Sequence, residues 1–586
     1  MDDQQKKLLE ELLFSGDKKL SFAKLLYFGS FHTPSVMPFP SLSAEDAKSA
    51  ETLVSRVESF ADQYIDGAQF DRESSIPMSV IKGLGDIGLL GATIPKQYGG
   101  QGLTQTAYCR AMSALAQRCG STALFVNAHQ SIGLKALVLF GTDKQKERWL
   151  PSLASGDTIA AFSLTEPNAG SDASGIETRA TYDPDKKVYI LSGQKQWTTN
   201  GSLAGVLTVM AQTEILTPQG PRDKVTAFLV TPDMPGFIIK DRALDKVGMR
   251  GSTTSNLIFD NVEVPEENIL GPKGGGLKVC LTVLDYGRVT FGATCSGPAR
   301  YLLNRAIVHA RSRYQFKKPL ASFPLVKKKI AMMAALTYAM EATTELTAGL
   351  VDKGMEEFML ESAILKVFNS EALWNIIYET MQIFGGRSFF TDQPFERMMR
   401  DARLNMIGEG SNEVLRAFIA AVGLRDVGLQ FQEVTEALKH PISQFGVLKM
   451  FSKQGASYLR APVIPVHTGH LAHEASMVGR AIRRFAVANA RVLAKYREGI
   501  IDQQMILNRI ADMAIALYTS IAVISKLDTQ LVQVKEPNKQ LEQDIAAGKL
   551  YIQHALDIID KALATLVHNY DGAMEELSDQ LTGLSE

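Results

Sequence analysis

Sulfur ligands are scarce in this chain. Its four cysteines, Cys109, Cys119, Cys280 and Cys295, are scattered and form no CxxC pair. That excludes a disulfide scaffold and a thiolate metal site, and it fits a reducing compartment. The nine histidines offer neither HxxxH nor HExxH spacing, so no metal centre is expected. Net charge is nearly absent too: −1 over 586 residues leaves no global field for nucleic acid or acidic substrates. Long apolar runs are missing as well. MAIALYTSIAVIS (513–525) lies between Asp512 and Lys526 and is too short to span a bilayer. The opening stretch, MDDQQKKLLEELLFSGDKK, carries acids from its second residue, unlike a secretory signal or an organellar transit peptide. A soluble, cytoplasmic protein is the expectation.

The chain does carry ample material for several packed units, being 45% hydrophobic and 21% charged. Residues 1–43 read as an N-terminal arm ending in TPSVMPFPS, whose prolines cannot continue a helix. From 44 to 160 apolar residues recur at helical spacing, as in SAEDAKSAETLVSRVESFADQYI. Between 161 and 272 the segments turn short and β-branched (KKVYILSGQKQWTTN, KVTAFLVTP, TTSNLIFDNVEVP), the pattern of antiparallel strands. A central helical bundle is expected over 273–425, a linker with an amphipathic piece, FGVLKMFSK (445–453), over 426–470, and a C-terminal helical domain over 471–586. The class is therefore mainly α with a central β domain. GLGDIG (83–88) matches GxGxxG literally, but a helical pattern precedes it and no acid occurs between Asp86 and Asp143. The dinucleotide reading fails on both counts, and the stretch reads as a helix and turn.

MIGEGSNEVLR (406–416) is the unusual stretch. Glu409 stands between Gly408 and Gly410, just before a helical pattern. Glycine neighbours allow another group to come close to the backbone. The acid is then either a base offered to a ligand or a helix-leading carboxylate favoured by the helix dipole.

Together with FSLTEPNAGSDASG (162–175) and MQIFGGRSFFTDQPFERMMRD (381–401), this stretch resembles the signatures of the acyl-CoA dehydrogenases. QKQWTTNG (194–201), GMRGSTTSNLIFDNVEVPEENILG (248–271) and ARSRYQFKKPL (310–320) continue the resemblance in order. The arm and GIIDQQMILNRIADMAIALY (499–518) resemble the very-long-chain branch. The implied fold is a helical domain, a β-barrel-like domain and a helical bundle, with an extra C-terminal helical domain. The implied activity is FAD-dependent α,β-dehydrogenation of long-chain acyl-CoA to trans-2-enoyl-CoA in fatty-acid β-oxidation. Flavin N5 would take the β hydride, and electrons would pass to an electron-transfer flavoprotein.

The chemistry asks for a fixed carboxylate and for hydrogen bonds to the thioester oxygen. By resemblance Glu409 is that base. Gly287 occupies the position where some branches carry the base instead. Thr165 and Thr199 resemble the residues that bond the flavin ring, Trp197 the aromatic flanking it, and Ser171 the pyrophosphate ligand, while Asp172 braces its loop. Arg313, Gln315 and Phe316, with Gln382, Gly385 and Gly386, resemble the group that reaches the neighbouring subunit's FAD, which implies a homodimer. Ser388 replaces the last glycine of the usual QxxGGxG, and Ser411 keeps the hydroxyl of the usual cofactor-side threonine. Arg288 and Asp285 resemble residues at the CoA end of the tunnel, or else they form an i, i+3 salt bridge. Gly410 would face substrate, and Ala123 and Asn127 would line the acyl chain.

On the C-terminal domain, Arg480, Arg484, Arg491 and Lys495 form a basic stripe opposite Ile482, Phe485 and Leu493. It reads as a solvated face or a peripheral membrane contact, for which the short, apolar and basic FGVLKMFSK is the other candidate surface. An acyl-CoA oxidase and an assembly protein of the same family are the alternative functions. A nucleic-acid-binding flavoprotein would need a strongly basic domain, which is absent.

Overall fold

The computed structural model describes residues 20–218, 220–439, 458–534 and 536–584. FGVLKMFSK lies outside them. The start of the described chain lies within the region read as an arm. It forms two helices, α1 (Phe22–Tyr27) and α2 (Thr33–Val36), the second with proline in its first turn, where a missing N–H is harmless. Next come α3 (Ala44–Tyr64), α4 (Gly67–Glu73), α5 (Met78–Asp86), α6 (Gln105–Ala116), α7 (Gly120–Asn127), a π turn (Ala128–Gly133), α8 (Lys135–Phe140) and α9 (Asp143–Ser155). Ala50, Leu53, Val57 and Ala61 make the buried stripe of α3, and Ser43 caps it by accepting from Asp46 N at 3.0 Å. GLGDIG falls at the end of α5 and in the turn after it.

One eight-stranded sheet follows, of β1 (Ala160–Ser163), β2 (Arg179–Asp183), β3 (Val188–Thr199), β4 (Val206–Thr217), β5 (Gly220–Val230), β6 (Phe237–Asp241), β7 (Thr254–Pro265) and β8 (Ile269–Leu270). Their order is β6-β7-β3-β2-β4-β5-β8, with β1 beside β4. Its longest pairing joins β3 (Val188–Thr199) to β7 (Thr254–Pro265), antiparallel and interrupted by irregularities between Leu191 and Gly193 and between Lys195 and Thr198. The second irregularity shapes the site below.

The bundle comprises α10 (Gly276–Ser312), α11 (Pro324–Asp352), α12 (Met359–Phe384), α13 (Phe395–Asn405) and α14 (Asn412–Lys439). α14 runs through residue 425, where a linker was expected, to Lys439. The C-terminal domain is α15 (Ala472–Tyr496), α16 (Gln504–Gln533), α17 (Lys539–Thr565) and α18 (Asp571–Thr582). α16 extends well beyond the run read from sequence. It and Gly120–Phe140 are long and apolar enough to cross a membrane, but those stretches are 89% and 72% buried within the protein.

A single core unites α1 with α11, α12, α14, α15, α16 and α17. The Tyr27 hydroxyl donates to Ile419 O at 2.8 Å, its ring meets Phe485 at 4.8 Å, and its carbonyl accepts from Asn489 at 3.3 Å. A Cβ on Gly423 would stand 2.2 Å from the Tyr27 ring, so only glycine admits it. Arg416 joins α14 to both neighbours, bidentate to Glu371 at 2.6 and 2.8 Å and bonded to Asp512 at 3.0 Å.

Candidate active site

Glu409 lies in the turn between α13 and α14 with φ +57°, a left-handed conformation that costs a non-glycine residue about 1 kcal/mol or more. Two buried cations hold the strained turn. Arg288 Nε of α10 donates to Glu409 O at 3.2 Å, and Lys366 Nζ of α12 donates to Gly410 O at 2.7 Å and to Asn412 Oδ1 at 2.8 Å. Asp285 fixes Arg288 at 3.0 Å and accepts from Ser362 Oγ at 2.9 Å. Of the two readings of Asp285 and Arg288, the ion pair is therefore present, and Arg288 also supports the Glu409 backbone.

The carboxylate itself is half satisfied. Asn127 Nδ2 donates to Oε1 at 3.0 Å, while Oε2 is out of reach of water and has no partner. Burial pushes the pKa of Glu409 from 4.5 up to about 7, against the opposing pull of Arg288, Lys366 and Asn127. A Cβ on Gly287 would come within 2.9 Å of Oε2 and 2.8 Å of Ile132 Cγ2. Glycine at 287 thus leaves room for the Glu409 carboxylate. Ala123 is packed into the core of the first helical domain.

A second group gathers at the end of β3. Trp197 takes φ +57° at the bulge and stands 61% exposed, rare on both counts for so large an apolar ring. Thr199 pairs with Thr254, and Thr165 O accepts from Gln196 N at 2.9 Å, which sets both threonines beside the tryptophan. Beneath them, Lys195 Nζ bonds Glu166 Oε1 at 2.6 Å and Leu164 O at 2.8 Å. Burial raises the Glu166 pKa, but Lys195, Thr178 and Glu177 outweigh it and hold the carboxylate below its usual range. Ser171 is exposed on the following loop, which Asp172 braces by accepting from Ser174 N at 3.1 Å. Asn200 Nδ2 donates to Phe125 O at 3.0 Å and so ties this strand end to α7, the helix that carries Asn127. Ser411 Oγ accepts from Val414 N at 3.4 Å at the start of α14.

The third group also assembles. His309 stacks on Phe384 at 4.1 Å, and its pKa is held down by burial and by Arg387, Arg313 and Arg305. Arg313, Gln315 and Phe316 form one exposed hairpin, while Gln382, Gly385 and Gly386 end α12. Gly385 has φ +60°, and open space surrounds both glycines where a Cβ would stand. Ser388 is buried at this turn, where its single O–H is shared between Met381 O at 2.9 Å and Gly385 O at 2.8 Å, carbonyls at the helix end. An exposed aromatic ring beside two threonines, and a glycine cradle next to guanidinium groups, suit a flat ring and its pyrophosphate.

Sequence reasoning missed Lys366, Asn412, Lys195, Glu166 and the bond from Asn127. Lys366 did carry a signal, a lone cation in the apolar run AILKVF. A separate cavity of about 580 Å³ between α3, α6, α10 and α11 includes Glu341 and Glu345 in its wall, but these already pair with Arg300 and Lys526.

Three family models match in chain order: the acyl-CoA dehydrogenase N-terminal domain (47–157), middle domain (161–262) and C-terminal domain (274–424). The chain belongs to the acyl-CoA dehydrogenase family and is, with it, an FAD-dependent oxidoreductase. A fourth model, the ACAD9/ACADV C-terminal domain, matches 469–583 and sets the chain in the very-long-chain-like branch. The human very long-chain specific acyl-CoA dehydrogenase, mitochondrial, is 36% identical over 87% of this chain and 79% of that protein. Probable acyl-CoA dehydrogenase FadE10 of Mycobacterium bovis is 34% identical over 99% of this chain and 91% of that protein. Among solved structures, an acyl-CoA dehydrogenase from Bacillus anthracis complexed with FAD superposes with a TM-score of 0.76 at 29% identity, covering 96% of this chain and 95% of its own.

Proposed function

We propose that this chain converts long-chain acyl-CoA to trans-2-enoyl-CoA, with Glu409 as the base that removes the α proton. One observation carries the reading: Oε2 of Glu409 is unpartnered, shielded from water and lies where a Cβ on residue 287 would crowd it at 2.9 Å, on an acid whose pKa is about 7. A base so tuned is partly ionised at neutral pH and still strong enough to accept a proton. Arg288 and Lys366 keep the turn from relaxing, so the carboxylate stays where substrate meets it. We assign Asp285 and Arg288 to that support and the Gly410 backbone to substrate contact.

FAD supplies the acceptor for the β hydride. Thr165, Thr199 and Trp197 would flank its ring, Ser411 would stand near it, and Ser171 would meet the pyrophosphate. Arg313, Gln315, Phe316, Gln382, Gly385 and Gly386 would reach the FAD of a second copy, making a homodimer. Electrons would leave to an electron-transfer flavoprotein, in a cytoplasmic setting that suits four buried free thiols. Any peripheral membrane contact is assigned to Arg480, Arg484, Arg491 and Lys495, which are exposed along α15.

Anaerobic addition of palmitoyl-CoA should bleach the visible flavin band of the wild type and leave that of Glu409→Gln unchanged. A flavin that no acyl-CoA bleaches overturns the reading. Rapid reoxidation of the bleached enzyme by oxygen would assign it to the oxidase type.

A further inference from the structure

Charged or titratable groups approach Glu409 from the elements packed around it: Arg288 and Cys295 on α10, Lys366 on α12 and Tyr108 on α6. Among the described residues, the hydrogen bond to the carboxylate comes from Asn127, which is neutral. Asn127 is 1% exposed, and its Oδ1 has no partner. An apolar side chain would fill the same place without burying an open acceptor, which costs free energy. The residue ends α7 where the chain widens into the π turn, an insertion that recurs at functional sites.

A primary amide suits a group that changes charge in mid-reaction. It donates through Nδ2 to a carboxylate, and it can donate to, or accept from, a carboxylic acid. It therefore grips the same oxygen in both states and adds no charge.

We propose that Asn127 is the positioning residue of the base, holding Oε1 before and after proton transfer and so assigning the α proton to Oε2. In that step the Cα–H bond breaks and an O–H bond forms at Oε2. The electron pair left on Cα forms the Cα=Cβ bond as the β hydrogen departs as hydride to FAD. The proposal rests on Glu409 being the base.

The test is anaerobic stopped-flow reduction by palmitoyl-CoA between about pH 5 and 9, on wild type, Asn127→Leu and Asn127→Asp holoenzymes. Losing a hydrogen bond to a charged group should slow Asn127→Leu roughly tenfold or more, with the half-saturating palmitoyl-CoA concentration little changed. The pH midpoint should move upward in both variants. Leucine removes the donor that favours the carboxylate, and aspartate sets a second acid against it. Aspartate keeps the shape of asparagine, so it decides the matter if leucine disturbs packing. Wild-type rates and midpoints in both variants overturn the proposal, and so does a slower rate with an unmoved midpoint in both, since that is a packing effect. A wild type that no acyl-CoA bleaches overturns the assignment of the base instead.

Discussion

Glu409→Gln should make the folded protein more stable above neutral pH and leave its stability nearly unchanged below pH 4.5. Burial lifts the folded-state pKa of Glu409 from 4.5 to about 7. The native state therefore binds this proton more tightly than the unfolded chain does. Below 4.5 both states are protonated and nothing is lost. As pH climbs towards 7 the unfolded chain has shed its proton while the native state keeps it, so stability falls across that window and levels off above it. At about 1.4 kcal/mol per pKa unit the full loss is about 3 kcal/mol. Glutamine does not titrate, matches the shape and can still meet Asn127, so the variant escapes the loss. Burial holds the Tyr108 hydroxyl and the Cys295 thiol well above their ordinary values, so both stay neutral across the window. Lys366, brought down to about 8 by burial and supported by Glu409, loses that support in the variant, so its proton leaves the native state at a lower pH than in the wild type, which adds to the gain around pH 8. Denaturant melts of both proteins at a series of pH values measure the difference. Parallel curves from pH 4.5 to 8, or a wild type more stable at pH 8, would refute the reasoning.

Gly287→Ala places a methyl group 2.9 Å from Oε2 and 2.8 Å from Ile132. Flavin reduction should slow roughly 10–100-fold while FAD is retained, as stopped-flow and flavin content will show. Lys366→Met strips Gly410 O and Asn412 Oδ1 of their donor. We expect a loss of about 2–4 kcal/mol in denaturant melts together with weak activity. Lys195→Met leaves Glu166 uncompensated at 2% exposure. A cost of about 3–5 kcal/mol and a fall in flavin retained after gel filtration should follow.

The domain order could be read from the chain because apolar period and β-branching change sharply near 160 and 272. Glu409 stood out because two glycines expose it. What escaped reading depends on partners far away in sequence. The prolines of 33–40 signal a break, but the burial of Phe22, Leu26 and Tyr27 is decided by α14, α15 and α16, more than 380 residues downstream. The left-handed backbone at Trp197 arises from a one-residue slip against β7, which strand propensity does not encode. Asn127 read as a small wall residue, since nothing in its neighbours shows that its amide meets an acid 282 positions on. The linker expected from 426 failed for a simpler reason: GLRDVGLQFQEVTEALK keeps helical spacing, and the helix follows it to Lys439.

The pairing of α1 with the C-terminal helices also sets a timetable. Ribosomes deliver roughly 5–20 residues per second, so Tyr27 leaves the tunnel roughly 25–100 s before α16, which completes its surroundings, has been made. Until then Phe22, Leu26 and Tyr27 have no finished core to enter. α1 is among the last of the described elements able to reach its native place, and its exposed aromatics are a surface that a nascent-chain chaperone would meet.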